Sequence, residues 1–372
     1  MSTEILDKLR TAMTVENLDS IVIMSPENVT WSSGVMIPSQ KIVRHRHAIV
    51  LVPRQEEPEM IVVDIEEELV RKDSSINKIT SYNEFTQTPI LVLAECLTER
   101  NLDKSRIGLE TGYLNHQDYQ QFSANLPQIK VKPIDKLLTT LRMTKTQNEI
   151  EHLTWAGRLA EQVAYEALQN WWPGMTEADL GRVITDKFSA KGGDKLTMLS
   201  VTAGERTPML NGGPTQREIS RGEVVRIDVI GTVNNYCCDV ARTAVVGEPT
   251  KELQDIWQKL VDCRDLALDH TRAGVSSHNL FQEYIQKMDN WNLPTLNFLG
   301  HGLGLTLHEE PYLNRYSDCT LEAGMVLAIE PLVCFPELGM QLEEAVVITE
   351  SGCELITNQF GIRQLWQMQE KN

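Results

Sequence analysis

Val224-Val225-Arg226-Ile227-Asp228 and, past Asn234-Asn235, Cys238-Asp239-Val240-Ala241-Arg242-Thr243 decide how this chain folds. Val224–Ile230 and Tyr236–Val246 are β-type runs, and Asn234-Asn235 tolerates the positive φ of a tight turn, so the pair reads as a hairpin. Each strand carries an aspartate, eleven residues apart in sequence. With a turn at Asn234-Asn235 the two are expected at roughly opposite positions, where cross-strand side chains lie about 5 Å apart.

Upstream, Thr146–Gln169 places Ile150, Leu153, Ala156, Leu159, Val163 and Ala167 at helical spacing, and Trp171-Trp172-Pro173-Gly174 stops it. A second helix should open at Thr176, its N-cap, with Asp179 in the capping box, and run to about Ala190. Met198–Thr202 then reads as a strand before the hairpin. Downstream the pattern repeats: helices Lys251–Ala273 and Ser277–Asn290, then strands Phe298–Leu307, Met325–Cys334 and Gly339–Thr349. Two helices followed by a hairpin, twice over, suggest an internally duplicated α+β domain.

The N-terminal part has a different character. Strands are expected at Ser20–Met24, Ala48–Val52, Met60–Val63 and Arg106–Leu109, with helices at Asp64–Lys72 and Pro89–Arg100. Ser25-Pro26-Glu27-Asn28 and Ile37-Pro38-Ser39-Gln40 are turn signals bracketing a segment in which Trp31 and Gly34 look exposed. These features give an α/β domain over residues 1–140 and an α+β domain over 141–372. The length, 372 residues, suits two domains, and 41% hydrophobic residues suffice for their cores.

Charge excludes some partners. Asp plus Glu outnumber Lys plus Arg by 52 to 35, a net charge of −17, so no broad basic face awaits nucleic acid. No apolar run approaches the ~20 residues of a membrane span. Met1–Arg10 is polar and lacks the pattern of a signal peptide, and the seven cysteines form no CxxC pair and match no disulfide framework. A cytoplasmic protein with buried thiols is the expectation. Cys237 and Cys238 should face opposite sides of their strand.

Five candidate metal ligands lie in the C-terminal half: Asp228, Asp239, His301, Glu330 and Glu343. Glu330 and Glu343 are expected to pair around Pro336-Glu337-Leu338-Gly339, as the aspartates do around their own turn. Any one of these acids alone would read as a solvated strand residue. As a set inside apolar strands they repel, and an unpaired buried charge costs several kcal/mol. A dinuclear metal site removes that cost. Carboxylates with one imidazole suit Mn, Co, Fe or Zn, and two such ions about 3.5–4 Å apart can share a hydroxide that is nucleophilic at neutral pH.

Gly300-His301-Gly302-Leu303-Gly304, His308-Glu309-Glu310-Pro311, Ile329-Glu330-Pro331 and Leu342-Glu343-Glu344, behind the aspartate hairpin, resemble the pita-bread metallopeptidases. That family includes methionine aminopeptidase, Xaa-Pro aminopeptidase, prolidase and the related creatinase. The order Asp, Asp, His, Glu, Glu agrees, as do the spacings of seven between the histidines and twenty-nine from His301 to Glu330. The N-terminal domain resembles that of the creatinase and prolidase branch. The resemblance implies that Asp228 binds one ion in bidentate fashion, that Asp239 and Glu343 bridge, and that His301 with Glu330 completes the second ion's shell. It also makes Glu330 the general base and gives His308 a role in binding the substrate and the tetrahedral intermediate. The implied activity is a hydrolase of the Xaa-Pro peptidase type acting on a small peptide, with manganese among the candidate metals.

Two positions depart from the pattern. Where the Xaa-Pro peptidases usually carry a substrate-facing histidine, seventeen residues before the first aspartate, this chain has Asn211; where they commonly carry arginine, two before the last glutamate, it has Gln341. Both enter the expected substrate-binding set. They favour an alternative on the same scaffold: an enzyme acting on a small amidine, cyclic amide or zwitterion, as creatinase, ectoine hydrolase or dimethylsulfoniopropionate lyase do. A catalytically silent binding protein is a third reading, opposed by retention of all five ligands. Lys41, Arg44, His45, Arg46 and His47 form a basic cluster, and strand alternation would separate the arginines from the histidines. In creatinase-like relatives the partner's N-terminal domain reaches the active site. The resemblance therefore implies a homodimer in which Arg44 or Arg46 helps bind substrate, against the alternative of a solvated edge strand. His45 and His47 have no third metal ligand nearby in sequence.

Overall fold

The computed structural model describes residues 1–357 and 359–371. The chain divides into two compact units, Met1–Arg142 and Met143–Asn372. Among the described residues no helix is long and apolar enough to cross a membrane.

In the first unit, strands β1 (Ser20–Ile23), β2 (Ile49–Pro53), β3 (Glu59–Val63), β4 (Lys78–Tyr82), β5 (Arg106–Leu109) and β6 (Lys130–Pro133) form one mixed sheet in the order β4-β3-β2-β1-β5-β6. Its helices are α1 (Thr3–Glu16), α2 (Pro26–Ser33), α3 (Glu67–Asp73), α4 (Pro89–Glu99), α5 (His116–Asn125) and α6 (Asp135–Met143), the last ending at the junction of the units. Strands β1, β2, β3 and β5 are almost wholly apolar, and α4 packs Ile90, Leu93 and Leu97 into the same core.

Three expectations for this unit are corrected. Ser25-Pro26-Glu27-Asn28 opens α2, with Ser25 as N-cap and Pro26 at its first position. Trp31 is buried. Its polar neighbours hide that in the sequence, yet Thr30, Ser32 and Ser33 donate their hydroxyls to the carbonyls of Pro26, Asn28 and Val29 at 2.7 Å and so can be buried with it. Residues 44–47 are turn and irregular chain, so strand alternation does not apply to them.

The second unit begins with α7 (Gln147–Ala167), β7 (Asn170–Trp171) and α8 (Glu177–Ala190). Thr146 with Glu149 and Thr176 with Asp179 form complete capping boxes that fix where both helices start. Strands β8 (Lys195–Ala203), β9 (Val224–Val233) and β10 (Tyr236–Val246) follow, then α9 (Lys251–His270) and α10 (Ser277–Asn290). The remaining strands are β11 (Phe298–Gly302), β12 (Glu309–Asn314), β13 (Val326–Ile329), β14 (Leu332–Cys334), β15 (Gly339–Gln341), β16 (Glu344–Ile348), β17 (Cys353–Leu355) and β18 (Trp366–Glu370). They form two five-stranded sheets, β7-β18-β10-β9-β8 and β12-β11-β13-β16-β17, and the ribbon β14-β15. Apolar side chains from both sheets and from α7 to α10 share one core, which includes Trp257, Phe281, Tyr284 and Leu327. This is the α+β pita-bread architecture.

Asn234 and Asn235 have φ of 51° and 69° and join Val233 to Tyr236, so β9 and β10 pair across a two-residue turn. Cys238 faces the main core, while Cys237 joins a second cluster with Leu303 and Val326. The long apolar runs further on are interrupted. Phe298–Leu307 is strand only to Gly302; Met325–Cys334 breaks at Glu330-Pro331, and Gly339–Thr349 at Leu342-Glu343. Pro331 has no N–H to give to a ladder.

Candidate metal centre

The register of β9 and β10 pairs Asp228 with Ala241 and Asp239 with Ile230. The aspartates are therefore diagonal neighbours on one face, because a two-residue turn puts the partner of Asp228 two positions beyond Asp239. Diagonal side chains still meet across a ladder. Asp228 is directly opposite Ser200 of β8, on its other side.

Glu330 and Glu343 occupy the two strand breaks. Ile329 pairs with Glu344, and Leu332 with Gln341. The same frame sets Glu330 against Glu343, but neither backbone N–H serves that ladder. Glu330 N donates to Leu299 O at 2.8 Å, and Glu343 N to Ala241 O at 3.2 Å. The breaks thus release each glutamate to a neighbouring strand. Strand β18 covers β10 only over Ala244–Val246, which leaves the edge at Ala241 to Glu343.

His301 sits in the middle of β11, between β12 and β13. A Cβ at Gly300 would lie 2.1 Å from the Ala328 carbonyl oxygen, so only glycine permits this close approach. The His301 ring meets the Gly302 carbonyl through Nδ1 at 2.9 Å. Nδ1 then holds the proton, and Nε2 turns its lone pair to Asp239 Oδ2 at 3.4 Å and Glu330 Oε1 at 3.6 Å. Burial, followed by the neighbouring His308, pushes the His301 pKa down to about 3, so the ring is neutral.

The five side chains converge. Ligand atoms of Asp228, Asp239 and Glu343 lie within 4.8 Å of one another, as do those of His301, Glu330 and Glu343. Glu343 belongs to both groups. All five residues are buried. Asp228 Oδ1, Glu343 Oε1 and His301 Nε2 have no hydrogen-bond partner, an arrangement costly without a cation. Burial raises the carboxyl pKa of Asp228, Asp239, Glu330 and Glu343; mutual repulsion adds to this at Asp239, Glu330 and Glu343. The donor set therefore fits divalent ions.

The other expected residues have varied settings. His308, exposed in the turn before β12, stacks on His301 with centroids 3.8 Å apart and rings 11° from parallel. One of its nitrogens also lies within 4.8 Å of ligand atoms of Asp239 and His301. Asn211 is exposed in the loop after β8. Gln341 is buried: Nε2 donates to Glu330 Oε2 at 2.9 Å, and Oε1 accepts from Arg226 Nη1 at 2.7 Å. In the first unit, Arg46 is held by Glu84 through Nε at 2.8 Å and Nη2 at 2.5 Å. Arg46 thus has an acidic partner within its own unit. Arg44 is exposed and has no ion pair among the described residues. His45 shares Glu84, and His47 meets Asp118 at 2.8 Å.

Several buried groups around the centre escaped the sequence reading. Arg242 reaches Glu161 and Glu344, each at 3.1 Å, and the Glu343 carbonyl. Lys145 pairs with Glu309 at 3.3 Å, next to His308. Arg226 is fully buried on β9, two residues from Asp228 and on its face. A charge in the apolar run Val224–Ile230 was the available signal for it.

A duplicated sheet scaffold closing on a buried carboxylate–imidazole cluster defines a metal-dependent hydrolase. Metallopeptidase family M24 matches residues 151–350, and the Creatinase/Prolidase N-terminal domain matches residues 5–144. The chain belongs to family M24, whose members use divalent metal ions. It is 27% identical over 360 residues to a Xaa-Pro dipeptidase of Pyrococcus furiosus, covering 95% of this chain and 97% of that one. The solved prolidase structure from P. furiosus superimposes with a TM-score of 0.82 at 25% identity, over 95% of this chain and 100% of the other. An X-Pro aminopeptidase from Thermotoga maritima has the same fold, with a TM-score of 0.86 at 23% identity over 96% of this chain and 99% of its own.

Proposed function

We propose that this peptidase hydrolyses the amide bond of small Xaa-Pro peptides with two divalent ions, one held by Asp228, Asp239 and Glu343 and the other by His301, Glu330, Asp239 and Glu343. The observation that carries this is the convergence of the unpartnered atoms of Asp228, Glu343 and His301 within a buried acidic cluster. Two ions there would polarise the scissile carbonyl and make a shared water acidic enough to attack as hydroxide near neutral pH. Glu330, with Oε2 steadied by Gln341, takes the proton of the attacking water and passes it to the leaving nitrogen. His308, stacked on His301, offers an N–H to the oxygen that becomes negative in the tetrahedral intermediate. Asn211 faces the substrate from its loop.

The relatives named Xaa-Pro dipeptidase and their cover of nearly the whole chain support the peptide substrate. The same reading makes residues 1–140 and 141–372 the functional domains and the active form a homodimer. With Arg46 engaged by Glu84, Arg44 is the freer group to meet a substrate carboxylate at the partner's site. The test compares kcat/KM on Xaa-Pro dipeptides, longer Xaa-Pro peptides and small zwitterions, using metal-depleted protein reloaded with Mn, Co, Fe or Zn. Dipeptide cleavage that vanishes on chelation and returns with metal is expected. Turnover of zwitterions alone would overturn the peptidase reading in favour of the non-peptidase alternative.

A further inference from the structure

Arg226 is the largest charged group in the interior of β9 that no metal-binding role absorbs. Its guanidinium is completely buried. Among the described residues no carboxylate lies within ion-pair distance of it, although Asp228, Glu330 and Glu343 lie close enough to attract it. Its donors are spent on two distinct targets. Nη1 donates to Gln341 Oε1 at 2.7 Å, and the amide at the other end of Gln341 donates to Glu330 Oε2 at 2.9 Å. Nε donates to Thr207 O at 3.2 Å, and Nη2 to Met209 O at 2.9 Å and to Leu210 O. One fork therefore grips both the residue behind Glu330 and the loop that carries Asn211.

We propose that Arg226 is a positioning residue: acting through Gln341 it fixes the Glu330 carboxylate, and through the carbonyls of Thr207, Met209 and Leu210 it fixes the loop presenting Asn211 to substrate. The two parts form one device. An amide cannot flip without exchanging its donor and acceptor ends, so the Arg226 N–H on Oε1 forces the Gln341 NH2 toward Glu330. A glutamine alone would be free to turn its oxygen to the carboxylate, which is repulsive. Position 341 thus needs no charge of its own, because the charge arrives from β9. The neutral side chain at 341 and the buried arginine at 226 are complementary halves of a single arrangement, and each makes sense only with the other.

The inference rests on the reading of Glu330 as ligand and general base, and the experiment separates the two. Parent, Arg226→Val, Arg226→Lys, Gln341→Arg and the exchange Arg226→Val/Gln341→Arg are each titrated with Mn²⁺ by calorimetry and assayed for kcat and KM on a Xaa-Pro dipeptide. Melting curves accompany each. Arg226→Val should lower kcat by about tenfold to a hundredfold and also raise KM, since both targets are released. Gln341→Arg in the presence of Arg226 sets two guanidiniums against each other and should weaken Mn²⁺ binding by about tenfold or more. The exchange should return kcat and Mn²⁺ affinity to within about fivefold of the parent while KM stays high, because an arginine on β15 no longer ties the 207–210 carbonyls. A merely structural arginine predicts no such split. Should Arg226→Val not fold, Arg226→Lys serves instead: it keeps the charge without the fork and should retain Mn²⁺ affinity while losing kcat. An exchange variant no better than its worse parent, or Arg226→Lys indistinguishable from wild type, overturns the proposal. The Mn²⁺ stoichiometry of the parent reports separately on the two-ion reading.

Discussion

Ala241 N donates to Glu343 Oε2 at 2.7 Å while Glu343 N donates to the Ala241 carbonyl at 3.2 Å, so one residue of the aspartate hairpin and one at the break between β15 and β16 are tied twice. Ala241 is itself the ladder partner of Asp228. The contact therefore holds carboxylates from both halves of the duplicated domain in a common frame, independently of any ion. It fixes Oε2 and leaves Oε1 directed at the cluster without a partner.

Replacing Glu343 by Gln should separate these roles. The amide oxygen can still accept from Ala241 N, so the melting temperature of metal-free protein should fall by no more than about 4 °C. Metal affinity should drop by about a hundredfold or more, and turnover with it, because a neutral ligand replaces an anion shared by both ligand groups. Calorimetric titration with Mn²⁺ and a melting curve decide the matter. A Gln variant that binds metal as the parent does would remove Glu343 from the centre.

The crowded acids set a pH dependence of stability with a definite sign. Burial, and for Asp239, Glu330 and Glu343 also like charge, raises the folded-state pKa above the ordinary carboxyl range of about 4. Between those values the folded protein binds more protons than the unfolded chain. The stability this contributes is complete below the unfolded pKa and is lost as pH rises through the folded values. Chelated protein should thus melt at progressively lower temperature from pH 5 to 8, and metal-loaded protein should not share the decline. Asp239→Asn should raise the melting point of the chelated form at pH 8 while abolishing metal-dependent turnover. A chelated parent that gains stability over that range would contradict the account.

What the sequence could reveal follows from how local each cause is. Thr176 with Asp179 states the start of α8 within four residues, and Asn234-Asn235 states a two-residue turn; both are complete local signals. Asp228, Asp239, Glu330 and Glu343 stand out because each interrupts an apolar strand. The structure brings them together with His301. The strand breaks at Glu330 and Glu343 were not legible, since they depend on the hydrogen bonds to Leu299 and Ala241 contributed by other strands. The role of Gln341 was hidden for the same reason: its guanidinium partner is 115 residues away. Trp31 was misjudged because the hydroxyls beside it are satisfied by their own helix, a fact composition does not display.

The basic cluster of the first unit offers a sharper test of assembly than oligomer size alone. Arg46 is locked to Glu84, whereas Arg44 is free of such a partner among the described residues. Arg44→Ala should raise KM for a dipeptide by about tenfold with kcat unchanged, the signature of lost uniform binding to a substrate carboxylate. Arg46→Ala should instead loosen its turn and lower the melting temperature. Mixing Arg44→Ala subunits with subunits carrying Asp239→Asn should restore some low-KM turnover, because one composite site per heterodimer would be intact. Sedimentation equilibrium gives the companion measurement: a fully active monomer at assay concentration rejects the arrangement.

Asn211 and Gln341, the two departures from the family pattern, should respond to reversal in opposite ways. Asn211 is exposed on a loop whose preceding carbonyls are held by Arg226, so a histidine there has room, and it adds to the amide's donor capacity a proton that titrates near neutrality. Asn211→His should leave folding unchanged and increase kcat/KM on Xaa-Pro dipeptides by up to about tenfold, less than the full value of a hydrogen bond to a charged group because the asparagine amide already donates. Gln341→Arg meets no such vacancy: its side chain would enter a buried space already filled by the Arg226 guanidinium. It should lower both kcat/KM and the melting temperature. The double variant would then fall below Asn211→His alone. Steady-state kinetics on the three proteins, with melting curves, resolve the point, and a double variant more active than either single would mean that position 341 acts on substrate directly and not through Glu330.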